Sequence, residues 1–137
     1  PLQRIAYNAI PSVVYTNPEI ACIGLTEKDL NEIKEGDFAP SMSTDEPFVP
    51  YEVHKLPMTY SGRFVAENEG ETGLCKVIVD KRSKAILGVH MIGNPCSEFV
   101  AAASFAVRMG YTVGEFKQVV FPHPTVAEVM REVIMEF

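Results

Sequence analysis

Residues 74–93 read LCKVIVDKRSKAILGVHMIG, two apolar runs parted by a short charged segment. Side chains alternate across a strand, so Cys75, Val77 and Val79 share one face of Leu74–Asp80. Lys81 to Lys84 is a charged turn, and Ala85 to Ile92 is the return strand, which together predict an antiparallel hairpin. After Gly93 the period changes. Asn94-Pro95 is a good helix opening. Phe99 to Met109 carries three consecutive alanines and large apolar residues on several faces, which predicts a mostly buried helix ended by Gly110. Thr112-Val-Gly-Glu115 has the spacing of a capping box and opens a short helix. Thr125-Val-Ala-Glu128 repeats that spacing. Behind it Val126, Val129, Met130, Val133, Ile134 and Phe137 recur at helical intervals, an amphipathic helix running to the last residue.

Towards the N-terminus, Ile10 to Leu25 reads IPSVVYTNPEIACIGL. Val13, Val14 and Tyr15 suit a strand, Asn17-Pro18 breaks it, and an apolar run resumes at Ile20 and ends at Gly24. Thr26-Glu-Lys-Asp29 is a further capping box, whose short polar helix would reach about Glu35 and stop at Gly36. Residues 36–50, with Pro40, Pro47 and Pro50 among several Ser and Asp, are expected to form a loop insertion. Tyr51 to Tyr60 is a plausible strand, and Gly62 to Gly73 is polar and turn-rich. The expected order is strand, helix, three strands, then three helices. Hairpin-joined strands followed by helices predict an α+β fold, an antiparallel sheet flanked by helices, in one domain spanning 1–137.

The composition is that of an ordinary folded domain: 137 residues, 47% hydrophobic and 22% charged. A chain of this length buries about two thirds of its unfolded surface, enough for one core without staples. The net charge of −6 argues against nucleic acid or an anionic membrane surface as a partner. No apolar run approaches the roughly 20 residues that span a bilayer, and no signal-peptide pattern precedes Ile5. Cys22, Cys75 and Cys96 are odd in number and widely spaced, a poor disulfide framework. They fit thiols in a reducing, cytoplasmic location. The chain lacks a start methionine and is expected to be a C-terminal piece of something longer.

One constellation could carry chemistry: Phe121-Pro122-His123-Pro124-Thr125-Val126-Ala127-Glu128. Each flanking proline restricts the backbone that presents His123. Glu128 follows in the first helical turn, where its carboxylate can reach back to the imidazole, fix its tautomer and favour its charged form. A capping box with Thr125 would account for Glu128 equally well, and His123 could simply fill a turn. His54 and His90 sit in expected strands without partners in sequence and read as structural or solvent-facing. No His, Cys or Asp cluster has metal-ligand spacing, so no metal is expected.

The wording His-Pro-Thr-x-x-Glu at 123–128, before an amphipathic last helix, resembles the end of the pyridine nucleotide-disulfide oxidoreductases. Three further stretches are similar to that family, in its order: Ile10 to Gly24 with Thr26-Glu27, Ala66 to Val79, and Ile86 to Gly93 with Glu98. Within the family the text looks most like dihydrolipoamide dehydrogenases; glutathione reductases share the His-Pro-Thr core. The resemblance implies the C-terminal dimerisation (interface) domain and a homodimer through it. It implies His123 as acid–base catalyst and Glu128 as its orienting carboxylate, both acting on the partner subunit's active site. It also implies a cis His123-Pro124 bond, and FAD and NAD(P) in the longer parent, with a dithiol such as a lipoyl group as substrate.

Two departures stand beside that likeness. The 36–50 stretch is longer than the family's usual connection. The chain also has no G-x-G-x-x-G fingerprint and no redox cysteine pair. Flavin contacts are therefore expected only near His123 and Pro124, with no cofactor bound to this chain by itself and no activity of its own. The alternatives are a glutathione-reductase-like member, a free-standing dimerisation module without redox chemistry, or a small enzyme using His123 and Glu128 alone.

Overall fold

Alternation along the central hairpin sets the layers. Cys75, Val77 and Val79 are fully buried on one side, while Ile78 and Leu87 turn to the other. The computed structural model describes residues 5–32 and 49–137. It contains a five-stranded sheet: β1 (Ser12–Val14), β2 (Ile20–Gly24), β3 (Tyr51–Pro57), β4 (Leu74–Asp80) and β5 (Ile86–Ile92). The spatial order is β1-β2-β5-β4-β3 and every pairing is antiparallel. The helices are α1 (Glu27–Glu32), α2 (Gly62–Glu67), α3 (Cys96–Met109), α4 (Val113–Phe116) and α5 (Glu128–Met135).

The hairpin turn has a local cause. Asp80 is buried, and its Oδ1 accepts hydrogen bonds from the backbone N–H of Arg82 (2.7 Å) and Ser83 (3.3 Å). The carboxylate thus organises the turn that a run of charges alone only suggests. Close to the same end of the sheet, Gly24 faces Gly88 across β2 and β5. A Cβ on Gly24 would lie 2.1 Å from the Leu87 carbonyl oxygen, and one on Gly88 would lie 2.2 Å from that of Leu25. The two backbones cross too closely for any side chain, and Gly24 has φ +78° besides.

Helices α3 and α5 cover one face of the sheet, α3 over β2 and β5, α5 over β3 and β4. Val129, Met130, Val133 and Ile134 of α5 are buried there, as its spacing predicts. Helix α1 lies on the opposite face, where Leu30 and Val49 form a second, smaller core with Ile78 and Leu87. Helices thus flank the sheet on both faces. Two capping boxes form as predicted. Thr26 N–H meets Asp29 Oδ2 at 2.8 Å and Asp29 N–H meets Thr26 Oγ1 at 3.1 Å; Thr112 and Glu115 pair in the same reciprocal way.

Four expectations change. Asn17-Pro18, a cis bond, does not merely interrupt a strand; it joins β1 and β2 as separate paired strands. Residues 62–67 are helical: Ser61 caps them through Phe64 N–H, and Phe64 is buried, so a single apolar anchor overrides a polar stretch. The strand expected to reach Tyr60 ends at Pro57 and passes into a 3₁₀ turn. Helix α3 is buried only through Cys96, Val100, Ala103 and Ala106, whereas Phe105 and Met109 are 69% and 63% exposed. Its N-terminus is held by distant groups, since Ser97 N–H donates to Glu19 Oε2 at 3.0 Å. Glu19 N–H in turn donates to Asn94 Oδ1 at 2.9 Å. The end of α1 and nearly all of the expected 36–50 insertion lie outside the described residues. Among the described residues no helix is long and apolar enough to cross a membrane.

Candidate acid–base site

The segment before α5 is folded on itself by short-range bonds. The Thr125 hydroxyl donates to the Pro122 carbonyl at 2.9 Å, closing a turn around the cis His123-Pro124 peptide. Thr125 N–H donates to Glu128 Oε2 at 2.8 Å, and Glu128 Oε1 lies 2.9 Å from His123 Nδ1. The third predicted capping box is therefore only half made. Glu128 Oε2 reaches back to the Thr125 N–H, but α5 begins only at Glu128, so Thr125 is not its N-cap residue, and the Thr125 hydroxyl donates to Pro122. The other carboxylate oxygen, Oε1, meets the imidazole.

The pair is unequal in exposure: the His123 side chain is 82% exposed and that of Glu128 20%. The Thr125 N–H holds the Glu128 carboxyl below the usual carboxylate range against an opposing push from burial, and the hydrogen bond to His123 lowers it by a smaller amount. Glu128 is thus an anion throughout the neutral range and accepts from Nδ1–H. In that tautomer Nε2 is the ring atom able to take a proton. A hollow of about 300 Å³ adjoins Glu128, lined also by Lys117, Gln118, Phe121 and Arg131 among others. Lys117 and Arg131 were not singled out from sequence. Arg131 could have been, because three residues from Glu128 on a helix places it on a neighbouring face.

The remaining histidines take structural positions. His90 Nε2 lies 3.0 Å from the Leu25 carbonyl, and burial pushes its pKa below the ordinary value, so the ring is a neutral donor bracing the crossing at Gly24. His54 packs edge-on against Phe137, with ring centroids 4.4 Å apart. The thiols are all free. Burial raises Cys75 to about 12 and Cys96 to about 11, which leaves both as packed, protonated side chains. Among the described residues no group of three or more His, Cys, Asp or Glu could hold a metal ion.

The sequence profile of the pyridine nucleotide-disulphide oxidoreductase dimerisation domain matches residues 10–134. The chain belongs to that family and constitutes its dimerisation domain. It is 38% identical over 129 residues to the mitochondrial dihydrolipoyl dehydrogenase of Caenorhabditis elegans, covering 94% of this chain and 23% of the relative. It is 33% identical over 124 residues to the dihydrolipoyl dehydrogenase of Haloferax volcanii, covering 90% and 23%. The chain therefore spans about a quarter of the length of these relatives. The fold superposes on LpdA from Mycobacterium tuberculosis with a TM-score of 0.80 at 20% identity, over 99% of this chain and 26% of that one. The HOCl-induced flavoprotein disulfide reductase RclA from Escherichia coli gives 0.74 at 20% identity, over 92% and 26%.

Proposed function

We propose that this chain is the domain through which a dihydrolipoamide dehydrogenase-type flavoprotein assembles as a homodimer, and that His123 and Glu128 supply its acid–base pair. The observation that carries the reading is the 2.9 Å contact between His123 Nδ1 and Glu128 Oε1 on a ring that is otherwise open to a substrate. A dithiol approaching Nε2 gives up its S–H proton to that nitrogen, and the bonding electrons stay on sulfur as thiolate, the form that attacks a disulfide. The positive charge appearing on the ring is met by Glu128. FAD and NAD(P), bound by other parts of the complete protein, supply the electron acceptors. The acting dithiol is of the lipoyl type, in keeping with the relatives named as dihydrolipoyl dehydrogenases. The three free thiols suit a reducing, cytoplasmic location, although relatives named as mitochondrial show that the compartment varies with the organism.

Glu128→Gln tests the pair from the carboxylate side. In the complete protein it should lower turnover with dihydrolipoamide by about tenfold, less than loss of the base itself. It should leave the helix start largely intact, because Gln still accepts the Thr125 N–H. Wild-type turnover in the folded variant would remove Glu128 from the reaction.

Dimerisation is supported by apolar surface left over after folding. Phe105 and Met109 on α3, together with Ile5, Tyr7 and Tyr15, are more than half exposed. Much of the excess lies on α3 and the N-terminal segment, with Val120 between α4 and α5 also exposed. Helix α5 spends its apolar stripe inside the core. Such surface on a two-fold assembly meets its own copy in an isologous contact. Sedimentation of the chain at tens of micromolar should show a dimer, weakened by replacing Phe105 with Ser. A monomer under all conditions would count against assembly through this domain alone.

A further inference from the structure

One hydroxyl ties the loop that presents His123 to a segment far away in sequence. Ser61 is 2% exposed, and its Oγ donates to the Thr125 carbonyl at 2.9 Å across 64 residues of sequence. The same oxygen accepts from Phe64 N–H at 3.1 Å, so both of its roles are used and its direction is set by the start of α2. The other side-chain hydrogen bonds of residues 122–128 among the described residues are internal, Thr125 to Pro122, Thr125 to Glu128, and Glu128 to His123, while the Val126 and Ala127 carbonyls accept from the backbone N–H of Val129 and Met130 in α5. Val126 adds a buried apolar anchor, but an apolar contact fixes position more than orientation.

We propose that Ser61 is a positioning residue for the His123–Glu128 pair: by holding the Thr125 carbonyl it fixes the residue whose N–H aims the Glu128 carboxylate at the imidazole. The inference rests on the acid–base reading of that pair. The relay is short. Ser61 Oγ–H holds Thr125 C=O; the N–H on the same residue holds Oε2; and Oε1 holds Nδ1. Without the first bond, the peptide planes on either side of Thr125 can rotate, and the buried carbonyl must find another donor. The loop keeps its internal bonds but loses its fixed bearing on the domain. A misplacement of about 1 Å at a reacting group can cost on the order of 100-fold in rate, so a partial loss of aim is readable.

The test compares variants of the complete protein with dihydrolipoamide as substrate. Ser61→Gly removes the hydroxyl yet leaves an acceptable N-cap residue on α2. It should lower kcat about tenfold with little change in KM and retain most of the melting temperature. Ser61→Thr, which keeps the hydroxyl, should recover most of that kcat. Should the glycine variant not fold, Ser61→Cys serves instead, nearly the same shape with a poor donor; it too should lose kcat. Full kcat in a folded Gly or Cys variant, beside a strongly impaired His123→Gln protein, would overturn the role of Ser61 and leave the acid–base reading standing. Full kcat in His123→Gln would overturn that reading itself. A kcat that follows only the folded fraction, with no rescue by Thr, would reduce Ser61 to a purely structural cap.

Discussion

His123→Gln in the complete protein should lower turnover with a dithiol by about 10²–10⁴-fold, the usual worth of a positioned general acid–base group. The melting temperature should stay close to that of the parent. Both parts follow from the geometry. The His123 side chain is 82% exposed, so little packing is lost with it. A glutamine retains much of the volume and can still donate an N–H to Glu128, so the loop's internal bonds survive. It cannot accept a proton at neutral pH, and the thiol-to-thiolate step then depends on solvent. Turnover and melting temperature measured on one preparation separate this from a structural role, for which activity would fall only in step with unfolding. An active, folded His123→Gln protein would sink the assignment.

The largest stability loss is expected at Phe64. It is fully buried, the bulkiest of the fully enclosed side chains, and lies in the main core beside Met58. A Cβ on Gly93 would lie 3.1 Å from its ring, which shows how closely that backbone is packed against it. Phe64→Ala should destabilise the domain by about 3–5 kcal/mol, the sum of lost transfer energy and an unfilled cavity. For a domain of this size that corresponds to a fall of roughly 10–20 °C in melting temperature. Thermal unfolding followed by circular dichroism is the measurement, and a fall of only a few degrees would mean that the site collapses around the smaller side chain. The backbone Phe64 N–H that holds the Ser61 hydroxyl survives this substitution, so any disturbance of the His123 loop must come through displacement of α2.

Local chemistry made much of this domain legible before any coordinates. The central hairpin, the last helix and two of three capping boxes depend on residues near one another in sequence: alternating apolar side chains, i, i+3 and i+4 spacing, and a hydroxyl three residues from a carboxylate. His123 and Glu128 were within reach for the same reason, since five residues separate them. Tertiary structure decided the rest. Whether residues 62–67 coil or wind depends on a core pocket for Phe64, supplied by distant segments. The third capping box is half made because the helix starts at Glu128 rather than just after Thr125, and Glu128 Oε1 meets the imidazole. The face of α3 that stays bare is set by how many strands lie beneath it, which apolar count alone does not give. Ser61 shows the limit most clearly. A serine before a glycine is unremarked in sequence, and its hold on Thr125 exists only because folding closes a gap of 64 residues. Short-range bonds are fixed by chain geometry, whereas long-range partners are chosen by the packing of the whole domain.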